Sequence, residues 1–455
     1  MTAMTSKPDL MHAATVAAIR YIDRERDSRV TPPPEVELPA ELDGDFLDSP
    51  WPAEAVLQLL AQAGDVGAVR TTGGRYFGFV TGGVEPVALA ASTLTGAWDQ
   101  NAGLPVMSPI ASKLDEVAAR WIVELLELPT ESVASFCAGA TVANLTGIIT
   151  GRDALLARAG WDVRSRGLAG SPPITVVTGD EAHASALKAL QLAGFGTDQV
   201  VRVVTDECGR IRPEAWPSTH GPTLAVLQAG NVNTGHSDPF DAIIPNLDSE
   251  RTWIHVDGAF GLWARVAPRR RHTINGVAAA DSWATDGHKW LNAPYDCGVV
   301  ICRDRGALDR AMTMNAAYIA SSAERVPMNL GIQMSQAARA IPVWAILATL
   351  GRQGLADLVE RTCRLAERMA ERLEQDGAEI LAPVVLNQVL AAFGDDQTTD
   401  AVIDAVQRDG TCWMGGTAWH GRRAMRISVS DSATTEQDID VSADAVLGAW
   451  HAEAG

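Results

Sequence analysis

Hydrophobic positions along this chain change their period twice. From residue 10 to residue 29 they recur at helical spacing, until Thr31-Pro32-Pro33-Pro34 breaks the pattern. That segment has little core of its own. It predicts an N-terminal helix and strap that pack on a neighbouring element or a second subunit. Helical spacing returns over residues 52–63, 85–98 and 109–128. Between them, Thr72-Gly73-Gly74 and Thr81-Gly82-Gly83 bracket the apolar stretch Arg75-Tyr76-Phe77-Gly78-Phe79-Val80.

The centre of the chain reads differently. Short β-branched runs at 133–136, 174–178, 200–204, 223–227, 253–256, 282–285 and 299–302 alternate with helical spacing at 142–159, 184–193 and 240–247. Strands interleaved with helices predict a mostly parallel sheet covered on both faces. Ligands of such sheets gather beyond the carboxyl ends of the strands. After about residue 304 long helical tracts appear at 336–350 and 355–375. Segments at 378–381, 387–393, 398–408, 424–430 and 436–449 follow and predict a small α+β unit. The reading is an α/β protein in three parts. Residues 1–70 form the helix and strap, 71–320 a large α/β domain with a seven-stranded sheet, and 321–455 the C-terminal helices with a small α+β domain.

Composition narrows the class of function. With 47% apolar and 20% charged residues the chain is globular. Its net charge of −19 repels nucleic acid and anionic membrane, so neither is an expected partner. The run Arg269-Arg270-Arg271-His272 is a local exception, read as a solvated turn after Pro268. Cysteines at 137, 208, 297, 302, 363 and 412 form no CxxC pair. Reduced thiols in a cytoplasm fit them best, and no metal site is expected. The N-terminus does not read as a signal peptide, and no uncharged apolar run approaches the ~20 residues of a membrane span. A soluble, cytoplasmic protein is expected.

Four segments at the ends of predicted strands carry chemistry. Ala138-Gly139-Ala140-Thr141-Val142-Ala143-Asn144 opens a helix with small residues, and its free amides and dipole suit a phosphate. An ordinary strand-to-helix turn would look the same. His183, in Asp180-Glu181-Ala182-His183, sits at a helix start, where an imidazole either caps the helix or stacks on an aromatic ring. In Trp253-Ile254-His255-Val256-Asp257-Gly258-Ala259, Asp257 ends an apolar strand. A carboxylate there needs a partner, either backbone donors or the protonated nitrogen of a pyridine ring. The small Ala259 leaves room for such a ring. Last, Asp286-Gly287-His288-Lys289-Trp290 places a lysine among aromatic and apolar neighbours, where an amine is suited to forming a Schiff base. His288 beside it can position a substrate or move a proton.

In this order the residues resemble the group II pyridoxal-phosphate decarboxylases, which include aromatic amino acid, glutamate and histidine decarboxylases. The resemblance runs from about residue 70 to residue 440. It implies pyridoxal 5′-phosphate held by Lys289 as a Schiff base, with Asp257 on the pyridine nitrogen. Ala259 would lie against one face of the ring and His183 on the other. Ala140 and Thr141 would cradle the phosphate, and His288 would bond the phosphate or the substrate. It also implies the type I aminotransferase-like fold and an obligate homodimer with active sites near the subunit interface.

Decarboxylation of an aromatic or acidic L-amino acid is the leading reading, because the family does it. Some features depart from the family. In aromatic amino acid decarboxylases a mobile loop after the lysine carries a tyrosine. The equivalent residues 320–336 have none here, and Tyr318 precedes them. The threonine-rich segment before the aspartate strand is Gly230-Asn231-Val232-Asn233-Thr234-Gly235. Phe79 and Trp98 lie in segments that match the pocket wall loosely. Another carbanion outcome (an aldehyde synthase, a C–C lyase or an aminotransferase) is therefore the alternative. A non-catalytic homologue is a third, and the retained Lys289 argues against it.

Overall fold

A computed structural model of the chain describes residues 6–24, 28–46, 49–314 and 325–454. Tyr318 and part of the tyrosine-free loop lie outside the described residues, as do residues 25–27 of the expected first helix. The N-terminal part holds α1 (Lys7–Arg24) and α2 (Ala53–Gly67), neither of which buries a residue. Two helices follow, α3 (Pro86–Trp98) and α4 (Pro109–Leu125). Ser108 caps α4 by accepting the Ala111 amide, and Pro109 supplies the fixed φ of a first helical residue.

The large sheet contains β1 (Val133–Cys137), β2 (Thr175–Gly179), β3 (Val200–Val203), β4 (Thr223–Gln228), β5 (Thr252–Asp257), β6 (Ser282–Asp286) and β7 (Gly298–Cys302). They lie side by side in the order β1-β7-β6-β5-β4-β2-β3. Only β7 runs against the rest, pairing antiparallel with both β6 and β1. Every residue of β4, β5, β6 and β7 is buried, as a sheet covered on both faces requires. The connections carry α5 (Ala140–Arg158), α6 (Val163–Arg166), α7 (Ala184–Leu192) and α8 (Phe240–Ile243). The predicted strands and helices of this region are all present, within a residue or two at each end, although the tract 240–247 divides into α8 and a turn of 3-10 helix. On α5, a Cβ at Gly147 would lie 2.6 Å from the His255 ring and one at Gly151 2.4 Å from Trp253. These two glycines let α5 lie directly on β5 and bring Asn144 over its carboxyl end.

Beyond the large sheet come α9 (Arg305–Met312) and α10 (Ala340–Gln375). The two helical tracts expected at 336–350 and 355–375 are one element with a break at Gly351, whose backbone (φ 57°, ψ −172°) only glycine adopts readily. Residues of α10 up to Cys363 join the core of the large sheet, and from Leu365 they join the core of a second one. That second, antiparallel sheet is made of β8 (Glu379–Ile380), β9 (Gln388–Ala392), β10 (Gly415–Trp419) and β11 (Arg422–Ser428), in the order β10-β11-β9-β8. Helices α11 (Asp396–Asp409) and α12 (Glu436–Ala454) pack with α10 around it. The stretch around Phe77 belongs to this second core: its amide bonds the Trp413 carbonyl and its carbonyl takes the Ser428 amide. The arginine run is a solvated turn only in part: Arg269 and His272 are exposed, but the two residues between them are not. Arg270 is largely buried and pairs with Glu367 at 2.7 Å and Glu360 at 3.6 Å, and Arg271 pairs with Glu127. Among the described residues, no helix is long and apolar enough to cross a membrane. No group of histidine, cysteine and carboxylate side chains there is placed to hold a metal.

Candidate active site

The carboxyl ends of β1, β2, β5 and β6 share one edge of the large sheet. Each of the four segments singled out from the sequence sits at one of these ends. Lys289 lies three residues past β6, in the connection to β7. Its Nζ is 3.2 Å from Oδ2 of Asp286, and the pair is mostly shielded from water. The amine is thus held by a carboxylate rather than left among apolar side chains. Segment 79–83 presses on this loop: a Cβ on Gly82 would lie 1.8 Å from the Lys289 carbonyl oxygen. Phe79 and the buried Val80 are both in the left-handed region (φ 54° and 57°). That is costly for a β-branched valine and marks a segment shaped by its surroundings.

His288 accepts the Cys297 amide at Nδ1 (3.2 Å), so the proton of the neutral ring sits on Nε2, 3.6 Å from Oδ1 of Asp286. Burial lowers its pKa, against the pull of the Asp286 charge. Tyr295 stacks on it with ring centroids 4.4 Å apart. Tyr295 also lines a cavity of about 710 Å³ with Asp99, Gln100, Asn101, Asp296 and Arg339. Arg339 is tied there to Asp296 at 3.0 Å.

Asp257 is the last residue of β5 and is buried. Its Oδ1 accepts the amide of Ala259 (3.2 Å), and its Oδ2 accepts Nδ2 of Asn144 (3.0 Å). Because Asn144 must offer its NH2 to a carboxylate, its Oδ1 faces His255 and accepts from Nε2 (2.9 Å). Burial pushes the His255 imidazole down to about 4, so it is neutral and its bare Nδ1 accepts from Ser282 Oγ (2.9 Å). Ser282 in turn accepts from Nε1 of Trp253 (2.9 Å). Every donor in this buried chain points towards Asp257. Among the described residues, no basic side chain forms an ion pair with that carboxylate. A buried anion with donors on one side and no cation of its own fits a protonated ring nitrogen.

His183 caps α7: its Nδ1 accepts the Ser185 amide (3.2 Å) and meets the Ser185 hydroxyl (2.8 Å). The capping contact of this histidine is therefore made, through Nδ1. Ser185 Oγ reaches Asp257 Oδ2 at 3.5 Å, so the cap borders the same site. Burial lowers the His183 pKa; the Asp257 charge opposes this, and Lys289 and Arg426 add to it. Ala140 is the first residue of α5, and its amide donates to Oδ1 of Asp286 at 2.6 Å. Thr141 follows it, half-buried. Ala259 accepts the Asp286 amide (2.8 Å), tying the ends of β5 and β6 together. Phe79 stacks on Trp413 (5.3 Å). Trp98 is half-exposed at the end of α3; its neighbours Gly96 and Asp99 line the cavity, but Trp98 itself does not.

Four residues of this site escaped the sequence reading: Asn144, Asp286, Tyr295 and Arg426. Arg426, on β11, has its guanidinium 5.9 Å from the Phe79 ring, and burial lowers its pKa. Among the described residues, no carboxylate pairs with it. Asn144 and Asp286 stood inside the quoted motifs, and their polarity at buried strand and helix ends was the available signal.

Comparison with known proteins identifies the family. The family model for the pyridoxal-dependent decarboxylase conserved domain matches residues 46–393. An acidic amino acid decarboxylase from Xenopus tropicalis is 28% identical over 360 residues, covering 76% of this chain and 69% of that protein. The aromatic-L-amino-acid decarboxylase of Bacillus atrophaeus is 25% identical over 390 residues, with 80% and 79% covered. Phenylacetaldehyde synthase of Arabidopsis thaliana is also 25% identical, with 73% of each chain covered. Among solved structures, Oryza sativa TDC with PLP and tryptamine superposes with a TM-score of 0.90 at 20% identity over 99% of each chain. Mouse CSAD in apo form gives 0.86 at 22% identity, over 98% of this chain and 99% of that one. At such identities the superpositions show the fold, a large mostly parallel sheet with a small antiparallel one.

Proposed function

The chain belongs to the pyridoxal-dependent decarboxylase family and is a pyridoxal 5′-phosphate enzyme of the carboxy-lyase class; we propose that Lys289 binds the cofactor's aldehyde and that the substrate is an aromatic or acidic L-amino acid. The observation that carries this reading is the convergence of Lys289, Asp257, His183 and the α5 N-terminus on one sheet edge. When bound, the cofactor supplies an electron sink for the pair left as the bond to CO2 breaks.

The protein's part is to hold, orient and move protons. Lys289 Nζ is the amine that would take the aldehyde. Asp257 would face the ring nitrogen, with Asn144 and the donor chain behind it keeping the carboxylate fixed. Ala259 and His183 would bound the two faces of the ring. The amides of Ala140 and Thr141, with His288 Nε2, would meet the phosphate. Arg426 is a half-buried guanidinium with no paired carboxylate among the described residues, and it suits the substrate's α-carboxylate. Phe79 would wall the pocket. For the proton returned to the substrate carbon, Nζ of Lys289 and Nε2 of His288 are the candidate donors.

A second reading shares the cofactor and differs in outcome. It draws on the absence of tyrosine from residues 320–336 and on the similarity to an aldehyde synthase. Here molecular oxygen would take two electrons from the substrate carbon after CO2 leaves and water would displace the amine, giving an aldehyde, CO2, ammonia and hydrogen peroxide. The absorbance spectrum of the purified protein, then an amino acid panel with CO2, amine and peroxide detection, separates the two. An absorbance band near 420 nm, lost in Lys289→Ala, with CO2 and amine released, is the expected result. The same band with aldehyde and peroxide selects the second reading, and an unchanged spectrum in Lys289→Ala overturns the lysine assignment.

We also propose a homodimer. No residue of helices α1 and α2 is fully buried within its own chain, and Leu94, Val106, Met107 and Ile110, on and between α3 and α4, are exposed apolar side chains. A cytoplasmic location suits six free thiols, five of them buried; recovery in an oxidising compartment with disulfides formed would refute it.

A further inference from the structure

Asp286 ends β6, and its side chain is buried. One carboxylate holds three groups that the cofactor needs. Oδ1 accepts the first amide of α5 at 2.6 Å and lies 3.6 Å from His288 Nε2; Oδ2 lies 3.2 Å from Lys289 Nζ. Gly139 and Ala140, at the start of the phosphate cradle, bring no polar side chain. A Cβ on Gly139 would meet only the His288 ring, at 3.2 Å, and Oδ1 of Asp286, at 3.5 Å. A phosphate brought to the Ala140 amide therefore arrives where a carboxylate already sits.

Physical chemistry gives a reason for a carboxylate there. Without the cofactor, the shielded Lys289 ammonium would lack a counter-charge and the α5 N-terminus would lack an acceptor. Asp286 satisfies both. We infer that Asp286 is an internal stand-in for the cofactor phosphate: it makes the contacts to the α5 N-terminus and to Lys289 that a bound phosphate would contest, and it must release the Ala140 amide and the Lys289 amine as the cofactor enters. It is thus a positioning residue that sets cofactor affinity. This rests on the pyridoxal-phosphate reading.

The test uses the full chain stripped of cofactor and titrated with pyridoxal 5′-phosphate, inorganic phosphate and pyridoxal, followed by tryptophan fluorescence. Asp286→Asn keeps an acceptor for Ala140 and removes the charge. It should bind pyridoxal 5′-phosphate and inorganic phosphate about tenfold more tightly or better, with pyridoxal changed less than about threefold. The cofactor-free variant should also melt several degrees below the wild type. Unchanged or weaker binding of the phosphate-bearing probes overturns the inference, and so does an equal gain for pyridoxal. Asp286→Ser repeats the comparison if the asparagine variant does not fold. The wild type bound to its cofactor gives a check without substitution: Asp286 Oδ1 beyond 3.5 Å of the Ala140 amide supports the stand-in, and an intact bond overturns it. A wild type that binds no pyridoxal 5′-phosphate sinks the cofactor reading itself, which is a separate result.

Discussion

Lowering the pH should weaken the fold through one residue that never meets substrate. His255 is fully buried on β5, and its ring passes hydrogen bonds from Ser282 to Asn144 only while it is neutral. Burial holds its pKa near about 4, against 6.5 for a free histidine. Between those values the unfolded chain carries a proton that the folded chain refuses, so stability rises with pH across that window and is lost as pH falls through it. The difference of roughly 2.5 pH units corresponds to about 3 kcal/mol, present in full at pH 7 and gone below about pH 4. Asp238, buried and pushed up to about 6, works in the opposite sense over part of the same range. His183, His236 and His288, also lowered by burial, and Asp115, Asp153 and Asp281, raised by it, add to the total slope, so a variant is needed to isolate His255. His255→Gln can still span Ser282 and Asn144 but does not titrate. Urea unfolding of both proteins, followed by tryptophan fluorescence from pH 7 to pH 4, should show the stability gap closing by about 3 kcal/mol. A gap constant to within about 1 kcal/mol would refute the reasoning, as would a doubly protonated His255 in nitrogen NMR at pH 6.

Two further outcomes are expected. Arg426→Gln should raise KM by about tenfold to a hundredfold with a smaller change in kcat, since it removes a charge-assisted bond to the substrate carboxylate; an unchanged KM would take Arg426 out of the pocket. Sedimentation should give twice the 48.2 kDa chain mass, and Ile110→Asp on the apolar face should shift the protein to single chains. A wild type that sediments as one chain at micromolar concentration would count against the dimer.

The large sheet was legible because its strands announce themselves locally. Runs such as Val299-Val300-Ile301 are apolar on both faces and flanked by turn residues, and β-branching does the rest. The small sheet was harder. Strand β10 begins with Gly415-Gly416 and alternates between half-buried and exposed positions, so no apolar run marks it. Gly351 read as a gap between two helices because sequence shows a helix breaker but not the packing that continues the helix beyond it. What neighbours in the chain did show was position: Lys289 and Asp257 stand at the strand ends that the apolar runs before them predict. The site was illegible where partners are far apart in the chain. Asn144 meets Asp257 across 113 residues and Ala140 meets Asp286 across 146. Arg426 reads as one more strand arginine beside Arg422 and Arg423, both of which do pair at the surface.

The reversed strand β7 has a consequence for how this site can vary. Gly298 stands opposite Asp286 on one side and Cys137 on the other. Any side chain there would collide with Gly139, since its Cβ would lie 2.4 Å from the Gly139 Cα. Position 298 therefore works as a gauge block: two strand spacings, about 10 Å in all, set how far the β6 end stands from the β1 end. The fixed dimension belongs to the sheet, while from Asn292 to Asp296 in the connection to β7 only Pro294, Tyr295 and Asp296 reach the surface, Asn292 and Ala293 being buried and hydrogen-bonded. Substitutions at those three positions can reshape what the pocket accepts while the anchor points keep their separation.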